Sequence, residues 1–184
     1  MNFNQIALLL IEGRLRSHPT QEEILSNIIL KAQAGKIAFY PCSRCSNAIV
    51  KLLLQVSPGT VAQIECIFDN SPDAFAEAGI DVYPLTELSR FNPSLAAVIV
   101  TANVFYTRET EIISRILGPT TPIINVSAID LELAVIDRTE LMAQIRKVVA
   151  LLADEKSRSV YLLAWLARLL NDENLTELFN DDRE

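Results

Sequence analysis

KIAFYPCSRCSNAIVKLLLQV, residues 36–56, decides the fold. Lys36 to Tyr40 is a short run, apolar after its first residue, that predicts a buried strand. From Asn47 to Val56 the apolar residues Ile49, Val50, Leu52, Leu53 and Val56 recur at helical spacing. A strand passing through a tight turn into a helix is the first half of a strand–helix–strand unit. A dinucleotide-binding chain carries glycines at that turn, so that backbone amides can approach a pyrophosphate. Here Pro41, Ser43 and Ser46 stand in those places. Proline has no N–H to donate, and the serines put side-chain atoms where a phosphate needs room. The turn therefore predicts no dinucleotide cofactor, and the expected cofactor set is empty.

Working outward, VAQIECIF (61–68) reads as a second strand, followed by Asp69-Asn70 and by Ser71-Pro72 as a helix cap. IDVYP (80–84) is a third strand, and Thr86 to Arg90 makes a helical turn. LAAVIVTA (95–102) is the most apolar strand. Thr107 caps a helix to Leu117, which Gly118-Pro119 ends, and PIINV (122–126) is a fifth strand. Continuous apolar strands alternating with helices predict a parallel sheet covered on both faces. With right-handed crossovers this is an α/β, Rossmann-like three-layer fold with five parallel strands in the order 3-2-1-4-5. The first and fourth strands meet at its switch point, and the crevice beyond their carboxyl ends is the default ligand site.

Helices flank this core in the sequence. Residues 3–16 carry one apolar stripe, His18-Pro19 breaks it, and Thr20 with Glu23 opens a second helix that Gly35 stops. Asp137 and Glu140 open a helix over 141–152. ADEKS interrupts it, and a helix apolar around much of its surface follows from Val160 to Leu170. The expected organisation is a helical pair over 1–35 packing on the main domain, a Rossmann-like domain over 36–130, and a helical extension over 131–184. That last apolar helix predicts packing on the two N-terminal helices, or a homodimer or protein partner through the C-terminal helices.

Composition narrows the function. Half of the 184 residues are hydrophobic, 21% are charged and the formal net charge is -7. A nucleic-acid partner needs a basic face that this chain lacks. No apolar run reaches the length of a membrane span. The start, MNFNQIALLLIEGRLRS, has no basic region ahead of its apolar run, and three cysteines make no secreted disulfide framework. The expectation is a cytoplasmic chain with reduced thiols.

At the crevice the candidate contacts are Ser43, Arg44, Ser46 and Asp69, with Thr101 and Asn103 after the fourth strand. Serine hydroxyls and Arg44 suit a small anionic ligand, and Asp69 stands where a ribose-binding carboxylate would, although without the glycines a turn or cap is its expected role. Asp73, Thr107, Asn125 and Ser127 lie near the same rim. Cys42-Ser43-Arg44-Cys45 has the spacing of redox and metal motifs, and a helix start beside Arg44 would stabilise a thiolate, but the expected role of these cysteines is as buried small residues that pack well. No second CxxC supports a metal, and His18, the single histidine, sits in a loop. No nucleophile, base and orienting group occur together, so no catalytic residue is assigned.

Three segments carry a resemblance: IFDNSP (67–72), GIDVYPLTEL (79–88) and AVIVTA (97–102). They resemble a Rossmann-like module found before the catalytic domain in many FkbM-family methyltransferases, and also at the front of sialic-acid-type sugar O-acyltransferases. LLADEKSRSVYLLAWLARLLND (151–172) is similar to the linker preceding the methyltransferase core. The resemblance spans about residues 36–172 and implies the same fold. The family's glycines fall at Pro41, Ser43 and Ser46, and the chain stops where a methyltransferase core would begin. The expectation is a non-catalytic module for protein interaction or small-ligand sensing. The alternatives are an enzyme or enzyme subunit binding a nucleotide, nucleotide sugar or S-adenosylmethionine-related ligand, and a thiol switch through Cys42 and Cys45.

Overall fold

A computed structural model describes residues 2–71, 76–101, 107–126, 128–170 and 175. The chain divides into two compact units, one of Gln21–Ala128 and one of Met1–Thr20 with Ile129–Glu184. The helices expected as a pair over 1–35 fall one in each unit.

The first unit runs α2 (Gln21–Ala34), β1 (Lys36–Tyr40), α3 (Arg44–Val56), a single turn α4 (Pro58–Val61), β2 (Ile64–Phe68), β3 (Val82–Tyr83), α5 (Leu88–Phe91), β4 (Leu95–Val100), α6 (Thr107–Leu117) and β5 (Ile123–Asn125). The strands form one sheet in the order β3-β2-β1-β4-β5, and every pairing is parallel. This is the predicted α/β fold and strand order. Successive residues of a strand face opposite sides. Ala38, Tyr40, Cys66, Phe68, Val98 and Val100 line one face with Leu88 of α5 and Ile113 and Leu117 of α6. Ile37, Phe39, Ile67, Ala97 and Ile99 point the other way and are fully buried. On that side α2 lies against β1 and β4.

Local chemistry moves several boundaries. The second strand starts at Ile64 rather than Val61, because Pro58 opens α4, and that turn takes in Val61. α3 begins at Arg44, three residues before the periodic apolar stripe, because Ser43 caps it. The short helix expected after the Ser71-Pro72 cap lies partly outside the described residues; Glu77–Gly79 is a 3-10 turn.

The second unit holds α1 (Phe3–Ser17), α7 (Ala128–Val135), α8 (Arg138–Leu151) and α9 (Glu155–Leu170). α7 has no counterpart in the sequence reading. α1 packs on α9 and α8. Ala7, Ile11 and Leu15 meet Leu133, Met142, Ile145, Leu162 and Leu166 in a buried cluster. Asn2 and Gln5 cap α1 reciprocally, Asp137 accepts from Thr139 N–H and Glu140 N–H, and Asp154 accepts from Ser157 N–H. His18 Nε2 lies 2.7 Å from Asp130 Oδ1, tying the end of α1 to α7. The outward side of α1 is apolar too: Phe3, Ile6, Leu9 and Leu10 are 44%, 45%, 57% and 53% exposed. Among the described residues no helix is long and apolar enough to cross a membrane.

Ile99 is fully buried at the centre of β4, between β1 and β5. Ile99→Ala is expected to lower unfolding free energy by about 2–5 kcal/mol through lost burial and an unfilled cavity. Urea denaturation followed by circular dichroism checks this, and a loss well under 1 kcal/mol would contradict the packing described.

Candidate functional site

The crevice lies where β1 and β4 end side by side. Thr101 N–H donates to the Tyr40 carbonyl at 2.7 Å, so both chains leave the sheet together. The Tyr40–Pro41 peptide is cis. After Pro41 the backbone turns into α3, whose first amides need acceptors.

Side chains of the turn supply acceptors for two of them, Ser43 and Ser46. Ser43 N–H donates to Ser46 Oγ at 2.7 Å, and Ser46 N–H donates to Ser43 Oγ at 3.2 Å. The two serines thus form a reciprocal cap of the kind usually built with Glu or Gln at the fourth place. Ser46 Oγ in turn donates to the Ser43 carbonyl at 2.9 Å. Thr101 Oγ1 sits 3.4 Å from the Tyr40 carbonyl and 3.3 Å from that of Pro41, and 3.2 Å from Ser43 Oγ. A hydroxyl has one proton to give. Thr101 gives its proton to the carbonyls, so Ser43 donates to Thr101 while accepting from Ser46 N–H. The chain of bonds is closed, and both Ser46 and Thr101 are buried.

Asp69 follows β2 and reaches the same turn. Its Oδ2 accepts from Cys42 N–H at 2.8 Å, and its Oδ1 accepts from Ser71 N–H at 2.7 Å. Asp69 thus takes the turn role expected of it in the absence of the glycines, accepting from two backbone amides rather than standing free for a ribose. Asn47, one turn into α3, accepts from Glu77 N–H at 3.0 Å, and Lys51 pairs with Glu77 at 2.8 Å. These contacts fix α3 against the segment that leads into β3.

Of the sequence candidates, Ser43, Ser46, Thr101 and Asp69 therefore meet at one turn. Arg44 is exposed at the first position of α3, with no carboxylate in ion-pairing distance among the described residues. Asn103, Asp73 and Ser127 lie outside the described residues, as does the side chain of Thr107, and Asn125 is exposed. The sequence reading placed serines in the turn but missed that they cap each other. The signal was present as Ser-x-x-Ser directly before an apolar periodic run. His18 in the other unit was read as a loop residue; its partner Asp130 belongs to the helix that the sequence did not reveal.

The thiols do not gather. Cys45 is buried, with Sγ 3.7 Å from the Val126 carbonyl, and Cys66 is buried in the sheet. Burial, and next the Asp69 carboxylate, push the Cys42 thiol up, partly offset by a hydrogen bond with Asn47. That runs against the thiolate alternative, and the burial of Cys45 and Cys66 agrees with the expected packing role. Burial pushes Cys66 from 9.0 to about 12, with Glu65 and Asp81 adding to it. Among the described residues no three metal-ligating side chains cluster.

No protein-family model, curated protein or solved structure matches this chain.

Asp69→Ala should leave the Cys42 and Ser71 amides without their acceptor and cost on the order of 2 kcal/mol. Asp69→Asn, which keeps one acceptor oxygen, should cost about half as much. Equal midpoints for wild type and both variants in urea would contradict the bonding described. For Cys66 the folded pKa lies above the unfolded one, so its contribution is complete below pH 9 and is lost as pH rises towards 12. The urea midpoint is expected to fall across that window, and to fall less in Cys66→Ala. An identical pH profile for the two proteins would exclude this cause.

Proposed function

We propose that this chain is a non-catalytic Rossmann-like module that works through protein contacts. The observation that carries the reading is the closure of the β1–α3 turn by its own side chains. Pro41 has no N–H, Cys42 N–H is held by Asp69, and the Ser43 and Ser46 amides are held by each other's hydroxyls. A diphosphate would need those donors. The resemblance to the module ahead of FkbM-family methyltransferase cores agrees with an accessory role, and the contact surface is assigned to the helical unit. The lack of any disulfide among Cys42, Cys45 and Cys66 agrees with a reducing, cytoplasmic setting.

A second reading, an enzyme subunit that holds a small anionic ligand, is favoured by one feature. Arg44 is exposed beside the turn and has no acidic partner among the described residues.

A thermal-shift series with NAD, FAD, ATP, UDP-glucose and S-adenosylmethionine at millimolar concentration separates the two. No shift is expected with any of them. A shift of several degrees that disappears in Arg44→Gln would overturn the first reading in favour of the second.

A further inference from the structure

α1 is apolar on two sides, and only one of them is used inside its unit. Asn4, Ala7, Ile11 and Leu15 face inward and are buried. Phe3, Ile6 and Leu10 form a second row, and Gly13 continues it at the spacing 3, 4, 3. That is the a/d spacing of a helix-pairing seam. Leu9 flanks it.

Gly13 is unexplained by the chain itself. It lies within α1, where glycine is a poor helix former, and it is not among the glycines with positive φ. A Cβ added there would meet nothing within 4 Å. No turn and no close neighbour of this chain calls for a glycine at that place. A second helix crossing close to the row would.

We propose that two copies of this chain associate through α1, antiparallel about a two-fold axis near residue 8. The proposal rests on the interaction-module reading and names its partner as a second copy. Self-complementarity selects that partner. With the axis at residue 8, Phe3 of one copy stands over the gap left by the partner's Gly13, and Ile6 stands over the partner's Leu10. Both ends are filled because the arrangement is symmetric. A parallel pair would instead set Phe3 against Phe3 and leave a gap between two glycines. Charge points the same way. Arg14 has no carboxylate in ion-pairing distance among the described residues, and the Glu12 carboxylate is held by Arg16 and Arg146. A parallel pair would place the two Arg14 side chains at the same end of the seam, whereas the antiparallel pair sends them to opposite ends.

Sedimentation equilibrium on the full chain tests this. Wild type is expected to be dimeric at tens of micromolar. Leu10→Glu is expected to be monomeric there with an unchanged far-ultraviolet circular dichroism spectrum, since Leu10 is exposed within its own unit. Gly13→Leu gives the sharper test because its two effects have opposite sign. It fills the space needed by Phe3 and should weaken association at least tenfold, while better helix propensity should raise the melting temperature of the dilute protein by a few degrees. Unweakened association in Gly13→Leu overturns the proposed pairing. So does a wild type that stays monomeric at tens of micromolar. A dimer that survives Leu10→Glu removes α1 as the seam but leaves the interaction-module reading standing, and the nucleotide series tests that reading separately.

Discussion

The amides at the start of α3 have to find acceptors, and how they do so organises this end of the sheet. In a parallel sheet the strand ends converge on one rim, and each turn there exposes backbone donors beside a helix start. A bound diphosphate is one way to satisfy them. This chain uses Ser43, Ser46 and Asp69 instead. Each of these side chains also fixes something beyond the turn. Ser43 sets where α3 begins, its link to Thr101 binds the exit of β4, and Asp69 binds the exit of β2. Three strand ends are thereby joined through one small network of hydroxyls and a carboxylate. Networks of this kind hold their geometry when every member is satisfied, and no buried side-chain polar atom lacks a partner among the described residues.

The sheet was legible because burial on both faces leaves a pattern that one sequence can show. LAAVIV has no polar residue, and its alternate residues meet opposite layers. Strand ends were less legible. Val61 is apolar and borders a strand, but Pro58 had already set a helical turn, and the turn prevailed. At the site, the residue types were visible and their partners were not. Serine at a helix start serves equally as a phosphate ligand, a cap or a spacer. What separates these roles is the distance from Ser43 to Ser46 and to Thr101, fifty-eight residues later. Asp69 shows the same limit: its turn role is legible once the glycines are missing, but its partner is not. A carboxylate after the second strand suits a ribose, and nothing local reveals that the Cys42 amide lies within reach.

The helical unit shows a different limit. Its last helix is too apolar for one sheet to cover, and the sequence leaves open whether the excess packs on the N-terminal helices or forms a subunit interface. Within the unit, α1 packs against α9, and Leu162, Leu166 and Ala167 are buried. The apolar row left exposed on α1 is of similar chemistry and sits at the other end of the sequence. Periodicity alone does not separate the two sides of α1. The rows 4-7-11-15 and 3-6-10-13 interleave, so the sequence shows them as one apolar stripe. Only the packing tells which stripe is already occupied.

The closed turn can also be weighed against a ligand that would reopen it. Such a ligand must break the bonds to the Cys42, Ser43 and Ser46 amides before it can use them. At about 1 kcal/mol net for each hydrogen bond, that is roughly 3 kcal/mol, or about two orders of magnitude in affinity. The freed carboxylate of Asp69 would then lie beside an incoming phosphate and repel it. Pro41 would still offer no N–H. A glycine turn faces none of these opposing terms, because its amides wait for the ligand. The same fold thus carries two distinct states of one turn, one poised for a diphosphate and one satisfied from within. The serines and Asp69 put the Ser43, Ser46 and Cys42 amides of this turn in the second state, and the proposed role in protein contact rests on that.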